Sequence, residues 1–459
     1  MTEVMVALSF MLLLVLLPSA SMRYPAVFCI YLFIFIPLYL LICREFYVHS
    51  VEATEISHRL NLIKEFAWLY VIGSFLLGRY LRRETISFPR SLAAPILVFC
   101  AYLLLQVVRG AQAVGMHGEL VLIRENLLYI PAAFVALYLV QEVDDIARLA
   151  KAYCYCMLAA SLYGLVQIVA EVQGLDLLRP ESQNPQFLYS SFFLNSNTMG
   201  WFAGTVLALV LPQRWSFQKN EWLYHVAISL SVFWMVAAQS LIAIIALIVI
   251  YAINMRTAHA PLKLAGAALS CCVFSVGALT FVRPEMLMSH PLHLGLLDRM
   301  EVEHPLFGHG VGKFGVYDIR SLFLEQPQAL VGTNNLYFGL ALTGGILGLI
   351  LFGWLMLKLL TAVSALTTRS RSDFMRHAAF GLQTALIVNV LYLVPANSLQ
   401  NFPESLHFWF LIGCSAALIN VQAAALVAQQ SMSSCSRDFR FRRGYDAGWR
   451  GVWVHTLPS

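Results

Sequence analysis

The chain has 459 residues, 59% of them hydrophobic and only 12% charged, with 30 Lys and Arg against 25 Asp and Glu for a formal net charge of +5. An ordinary soluble protein is roughly 25% charged, so this composition excludes a water-soluble enzyme, an intrinsically disordered chain and one built around a nucleic-acid-binding tail. Nine cysteines fall almost entirely inside apolar runs, with no CxxC pair and no Cys/His cluster at zinc spacing, and read as small hydrophobes.

Taken in chain order, the apolar runs predict membrane segments near 4–20, 25–43, 66–81, 91–108, 125–141, 150–171, 198–211, 222–238, 240–254, 262–282, 336–362, 378–396 and 404–428. The first, followed by Pro18-Ser-Ala-Ser21, imitates a signal peptide. It lacks a basic start and a second run follows at once, so it reads as a membrane segment. The stretch 222–254 is too long for one span, and Gln239-Ser240 at its middle is the expected turn of a hairpin. The fold class is therefore all-α: a polytopic integral membrane protein with about 12–13 transmembrane helices. Residues 1–430 form the membrane domain and 431–459 a basic cytoplasmic tail. Continuously apolar runs, lacking period 2, exclude a β-barrel.

Placing the tail in the cytoplasm puts about 20 of the 30 Lys and Arg on that side, as the positive-inside bias requires. The opposite face then owns the long loops, about 44–64, 109–124, 172–197 and above all 283–335. That last loop contains Asp298-Arg-Met-Glu-Val-Glu-His-Pro-Leu-Phe-Gly-His-Gly-Val-Gly-Lys-Phe-Gly315 and closes with Gly332-Thr-Asn-Asn-Leu-Tyr337. Its glycines allow tight turns and close approach of a ligand. Neither a phosphate-binding GxxxxGK[ST] loop nor a dinucleotide fingerprint is present.

His304-Pro-Leu-Phe-Gly-His-Gly-Val-Gly-Lys-Phe314, then Asn334-Asn335-Leu-Tyr-Phe, then Gly344-Gly-Ile-Leu-Gly348 resemble the signature of the O-antigen ligase and O-antigen polymerase superfamily. Asn195-Ser-Asn197-Thr-Met-Gly200 is similar to that family's NxN element, and Ile123-Arg-Glu-Asn-Leu-Leu-Tyr129 to its lRxxxxY entry to an earlier span. The resemblance covers roughly residues 120–350. It implies a metal-independent, cofactor-free inverting glycosyltransferase in the bacterial inner membrane with its active site facing the periplasm. Such an enzyme takes a saccharide from an undecaprenyl-pyrophosphate donor and passes it to an acceptor glycan. Its other partner is membrane lipid, and nucleic acid is not one.

A sugar pyrophosphate already carries a good leaving group. The protein mainly has to neutralise its charge and orient the acceptor hydroxyl. The guanidinium fork suits phosphate oxygens, which makes Arg124 and Arg299 the candidate clamps; alternatively each snorkels to headgroups or pairs with Glu125, Asp298 or Glu301. Asn334 stands where ligases carry a histidine, and Asn cannot act as a base near neutral pH. Gln239-Ser240-Leu241 likewise lacks an arginine that many relatives carry. These departures favour a polymerase for a surface polysaccharide over a ligase that transfers glycan to the lipid A core. His304 and His309 titrate in the useful range, and Glu301 and Glu303 are alternative proton acceptors. Asn195, Asn197, Asn334 and Asn335 are either sugar or diphosphate hydrogen-bonders or caps of the helices they precede. Tyr337 either stacks on a sugar or anchors at the membrane interface. A third reading is a transporter or flippase for lipid-linked saccharide. Proton coupling would place carboxylates in mid-span, and the spans carry almost none.

Overall fold

The computed structural model describes residues 68–73, 75–77, 79–81, 83, 88–114, 127–173, 191, 196–237, 241–255, 305–308, 310, 336–370, 372–393 and 404–445. Among these residues every regular element is helical. In chain order they are α1 (Arg90–Val114), α2 (Ala132–Leu139), α3 (Val143–Val172), α4 (Ser196–Val210), a 3-10 segment (Leu211–Phe217), α5 (Glu221–Ala237), α6 (Leu241–Met255), α7 (Leu336–Arg369), α8 (Asp373–Tyr392) and α9 (Glu404–Tyr445). The described residues between Trp68 and Leu81 are helical too. Four helices, within α1, α3, α7 and α9, are long and apolar enough to cross a membrane. The expected segments 4–20, 25–43 and 262–282 lie outside the described residues.

The packing follows from where the chain supplies small residues. α9 lies along α2, α8 and α5 both flank α4, and α7 packs on α1 and α8. At Gly413 a Cβ would meet the Ala133 carbonyl, and at Gly381 it would stand 2.7 Å from the Leu209 carbonyl oxygen. In an apolar solvent, helix association relies on such backbone approach, because lipid tails offer no hydrophobic contrast. Trp201, Trp234 and Trp409 are fully buried between helices, with the Trp234 indole donating to Ser161 Oγ at 2.9 Å. Cys154, Cys156 and Cys414 are buried free thiols, as their apolar setting led us to expect. The chain also ends α5 at Ala237 and begins α6 at Leu241, so the long apolar stretch is two helices.

Two expectations are corrected. Among the described residues of the run 125–141, Leu127 is helical, a turn follows over 128–131, and the helix Ala132–Leu139 comes after it, so the run is not one continuous helix. The run 336–362 is not one straight span. At Gly345 the backbone takes φ +61° and ψ −167°, a region essentially reserved for glycine. The chain reverses there. The Leu340 carbonyl oxygen lies 3.3 Å from where a Cβ on Gly348 would sit, and the Tyr337 and Phe352 rings are 6.1 Å apart. In a straight helix residues 15 apart would be about 22 Å apart along the axis. Residues 336–344 therefore form a short arm folded back against 346–369. Leu336 begins roughly 13 Å down the long arm from the turn.

α9 is longer than any bilayer span needs. Its side chains are buried from Glu404 to Leu418, Gln422 lies 3.5 Å from Ser370 Oγ at the end of α7, and from Ala423 to Val427 it is exposed. The helix then runs on to Tyr445, carrying the chain past residue 430 without a break.

Candidate functional site

Residues 305–308 and Gly310 of the glycine-rich motif pack against the Gly344–Gly345 motif, far away in sequence. A chain reversal strips the helix ladder of partners, and buried backbone groups must find others. Pro305, Leu306 and Gly310 supply them. Ile346 N–H donates to the Pro305 carbonyl at 3.0 Å, Leu347 N–H to Leu306 at 3.2 Å, and Gly310 N–H to Thr343 at 2.9 Å. The fit leaves no room for side chains. A Cβ at Gly308, which has φ +65°, would stand 2.5 Å from Gly345 N.

α1 walls this plug with Tyr102, Gln106 and Arg109, spaced to share one helix face. Tyr102 Oη donates to the Gly344 carbonyl at 2.5 Å. Arg109 is the clasp: Nη1 donates to Phe307 O at 2.8 Å and to Gln106 Oε1 at 3.1 Å, and Nη2 to Gly308 O at 3.1 Å. A guanidinium fork matches two adjacent carbonyls as it does two phosphate oxygens. Lysine cannot. Arg109→Lys should therefore speed amide exchange across 305–310 by about tenfold or more, the effect of losing one charge-assisted hydrogen bond. Exchange measured on purified protein at wild-type rate would deny the clasp.

A second constellation lies where α3, α4, α8 and α9 meet. The Tyr153 hydroxyl and His407 Nε2 are hydrogen-bonded at 2.5 Å, and the Trp201 ring stands edge-on to His407 at 4.9 Å. Trp201 Nε1 donates to Asn389 Oδ1 at 2.9 Å, and Asn389 Nδ2 donates to Thr205 Oγ1 at 3.2 Å and to Ala385 O at 2.8 Å. One turn away Thr198 Oγ1 donates to Glu404 Oε1 at 2.6 Å. Glu404 is 5% exposed and His407 1%. Burying a carboxylate costs several kcal/mol before pairing, and among the described residues no cation pairs with this one.

The short arm of α7 joins the same place. Tyr337 Oη donates to Val390 O at 2.9 Å, next to Asn389, while Phe352 touches both the Tyr337 ring at 6.1 Å and the Phe408 ring at 6.3 Å. Contacts thus close a ring from Trp201 through α8, Tyr337, Phe352 and α9 back to His407. Residues near the starts of three helices take part: Thr198 of α4, Tyr337 of α7 and Glu404 of α9.

Of the residues singled out by sequence, Asn197 is placed in the first turn of α4. Arg124, Asn195, Arg299, Glu301, Glu303, His304, His309, Asn334 and Asn335 lie outside the described residues. In the sequence His309 falls between Gly308 and Gly310, and Asn335 precedes Leu336 of α7. Tyr337 is used inside the bundle through its hydroxyl. Arg109, Thr198, Asn389, Glu404 and His407 were missed. Glu404 and His407 carried a signal, two ionisable residues three apart at the head of an apolar run. Compared with known proteins, the sequence matches no family model and no curated protein.

Proposed function

We propose that the chain is a polymerase-type membrane glycosyltransferase, which extends a surface polysaccharide by moving saccharide from an undecaprenyl-pyrophosphate-linked donor to an acceptor glycan at the periplasmic face. What supports this is the convergence just described. The Asn195–Asn197 and Asn334–Asn335 elements, 139 residues apart between Asn195 and Asn334, lead in sequence into α4 and α7, whose early residues Thr198 and Tyr337 bond to Glu404 of α9 and Val390 of α8. Helix starts present free N–H groups and a positive dipole end, suited to a diphosphate. Asparagine adds donors and acceptors for sugar hydroxyls. Arg124 and Arg299 are assigned to the diphosphate itself, where a fixed cation stabilises the departing charge.

Purified protein given lipid-linked oligosaccharide should yield longer lipid-linked chains without added metal or nucleotide. Glycan moved intact to a lipid A core would mean the ligase activity instead, and no transfer at all with vectorial movement of the substrate would mean a flippase. Within this reaction Arg299→Lys should lower turnover by roughly a hundredfold, since a two-pronged clamp becomes a point charge. Full activity in that variant removes Arg299 from the mechanism.

A further inference from the structure

We infer that Glu404 is the proton acceptor for the acceptor hydroxyl, a role that rests on the glycosyltransferase reading above. Two acidic side chains are buried among the described residues, Asp145 and Glu404. Asp145 is fully committed: one oxygen accepts from the Gln141 and Glu142 N–H groups at 3.0 Å each, and the other pairs with Arg148 at 2.8 Å. Glu404 is not. Its hydrogen bond from a side chain comes from Thr198 Oγ1 at 2.6 Å, against the roughly four lone-pair positions a carboxylate offers. The remaining ones face no other described side-chain donor.

Its position fits the task. Thr198 ties the carboxylate to the first turn of α4, one residue after Asn197, while the closed ring of Trp201, Asn389, Tyr337 and Phe352 brings the start of α7 to the same level. His407, one turn further along α9, is held by Tyr153 and flanked by Trp201, so the helix face bearing Glu404 cannot rotate without breaking those contacts. A hydroxyl brought to the first turn of α4 beside Thr198 would meet the Glu404 carboxylate there. In the step, the hydroxyl oxygen forms a bond to the anomeric carbon as the bond from that carbon to the pyrophosphate oxygen breaks. The hydroxyl proton passes to Glu404 and the electron pair leaves with the undecaprenyl diphosphate.

The test is turnover and KM with lipid-linked oligosaccharide on purified wild type, Glu404→Gln, Glu404→Asp and Thr198→Val, each with its melting temperature. Glu404→Gln should cut kcat by about 10²–10⁴-fold with donor KM and melting temperature unchanged. Glu404→Asp should recover part of that loss, because the base returns on a shorter arm. Wild-type turnover in Glu404→Gln overturns the inference and leaves the glycosyltransferase reading standing. Absence of any transfer by the wild type overturns both. Should Glu404→Gln fail to fold, Thr198→Val decides: it removes one hydrogen bond to the carboxylate and should lower kcat by about tenfold. Unchanged kcat there would assign Glu404 to the fold alone.

Discussion

Gly345→Ala is expected to unseat the loop and lower the stability of the membrane domain by about 3–5 kcal/mol. Two costs combine. The backbone at φ +61° and ψ −167° lies in a region where a side chain costs roughly 1–3 kcal/mol. The added Cβ would also press on the Leu306 carbonyl and stand 2.6 Å from Gly308 N, an overpacking penalty of similar size. Relief requires moving either the 305–310 segment or the short arm of α7, and both carry hydrogen bonds that nothing else can accept. Gly353→Ala is the matched control, since it lies within the long arm with nothing within 4 Å of its Cβ. It should be neutral or slightly stabilising, as alanine outranks glycine in a helix. Melting in detergent and limited proteolysis of 305–335 would show the difference. Equal melting and equal cleavage in the two variants would mean that the reversal at Gly345 is not held by the loop.

How much of this was legible in the sequence depends on what hydropathy can register. Continuous apolar runs predicted the helices of α1, α3, α7 and α9, and the polar pair Gln239-Ser240 marked the division between α5 and α6. The reversal at Gly345 was invisible to the same reasoning. A chain may turn inside a membrane domain where protein, not lipid, surrounds the freed backbone groups, so no polar residue has to announce it. The glycines did announce it, yet only as members of a short motif. Their shared purpose, Gly308 against Gly345, needed three dimensions. Arg109 carried no signal of its own, because nothing in a linear sequence couples it to carbonyls almost 200 residues away. Glu404 and His407 were averaged into an apolar run although they face inward together. The asparagine elements were legible as candidates from the sequence, and the folded-back arm of α7 sets Tyr337, two residues after Asn335, against α8 and Phe352.

Gly413→Leu tests how that convergence is held, and its expected effect is the largest in the chain. α9 and α2 are in backbone contact at this point: a Cβ on Gly413 would collide with the Ala133 carbonyl and stand 2.7 Å from Ala136 Cβ. Neither obstacle is the flexible end of a side chain, so the helices must separate. Even Gly413→Ala should cost about 1–3 kcal/mol, and leucine more, because lost contact spreads along the buried face from Leu406 to Leu418. The consequence for the candidate site comes from rigidity. Glu404 and Phe408 lie on the same helix as Gly413, and a displacement of that helix by an ångström opens the 2.6 Å contact between Thr198 and Glu404 beyond hydrogen-bond range. Gly413→Ala should therefore lower kcat in the lipid-linked assay together with the melting temperature, whereas Gly353→Ala should lower neither. If Gly413→Ala loses stability yet keeps full turnover, the register of α9 on α2 does not govern the site. The geometry around Glu404 would then have to be set by α4 and α8 through Thr198, Trp201 and Asn389 alone.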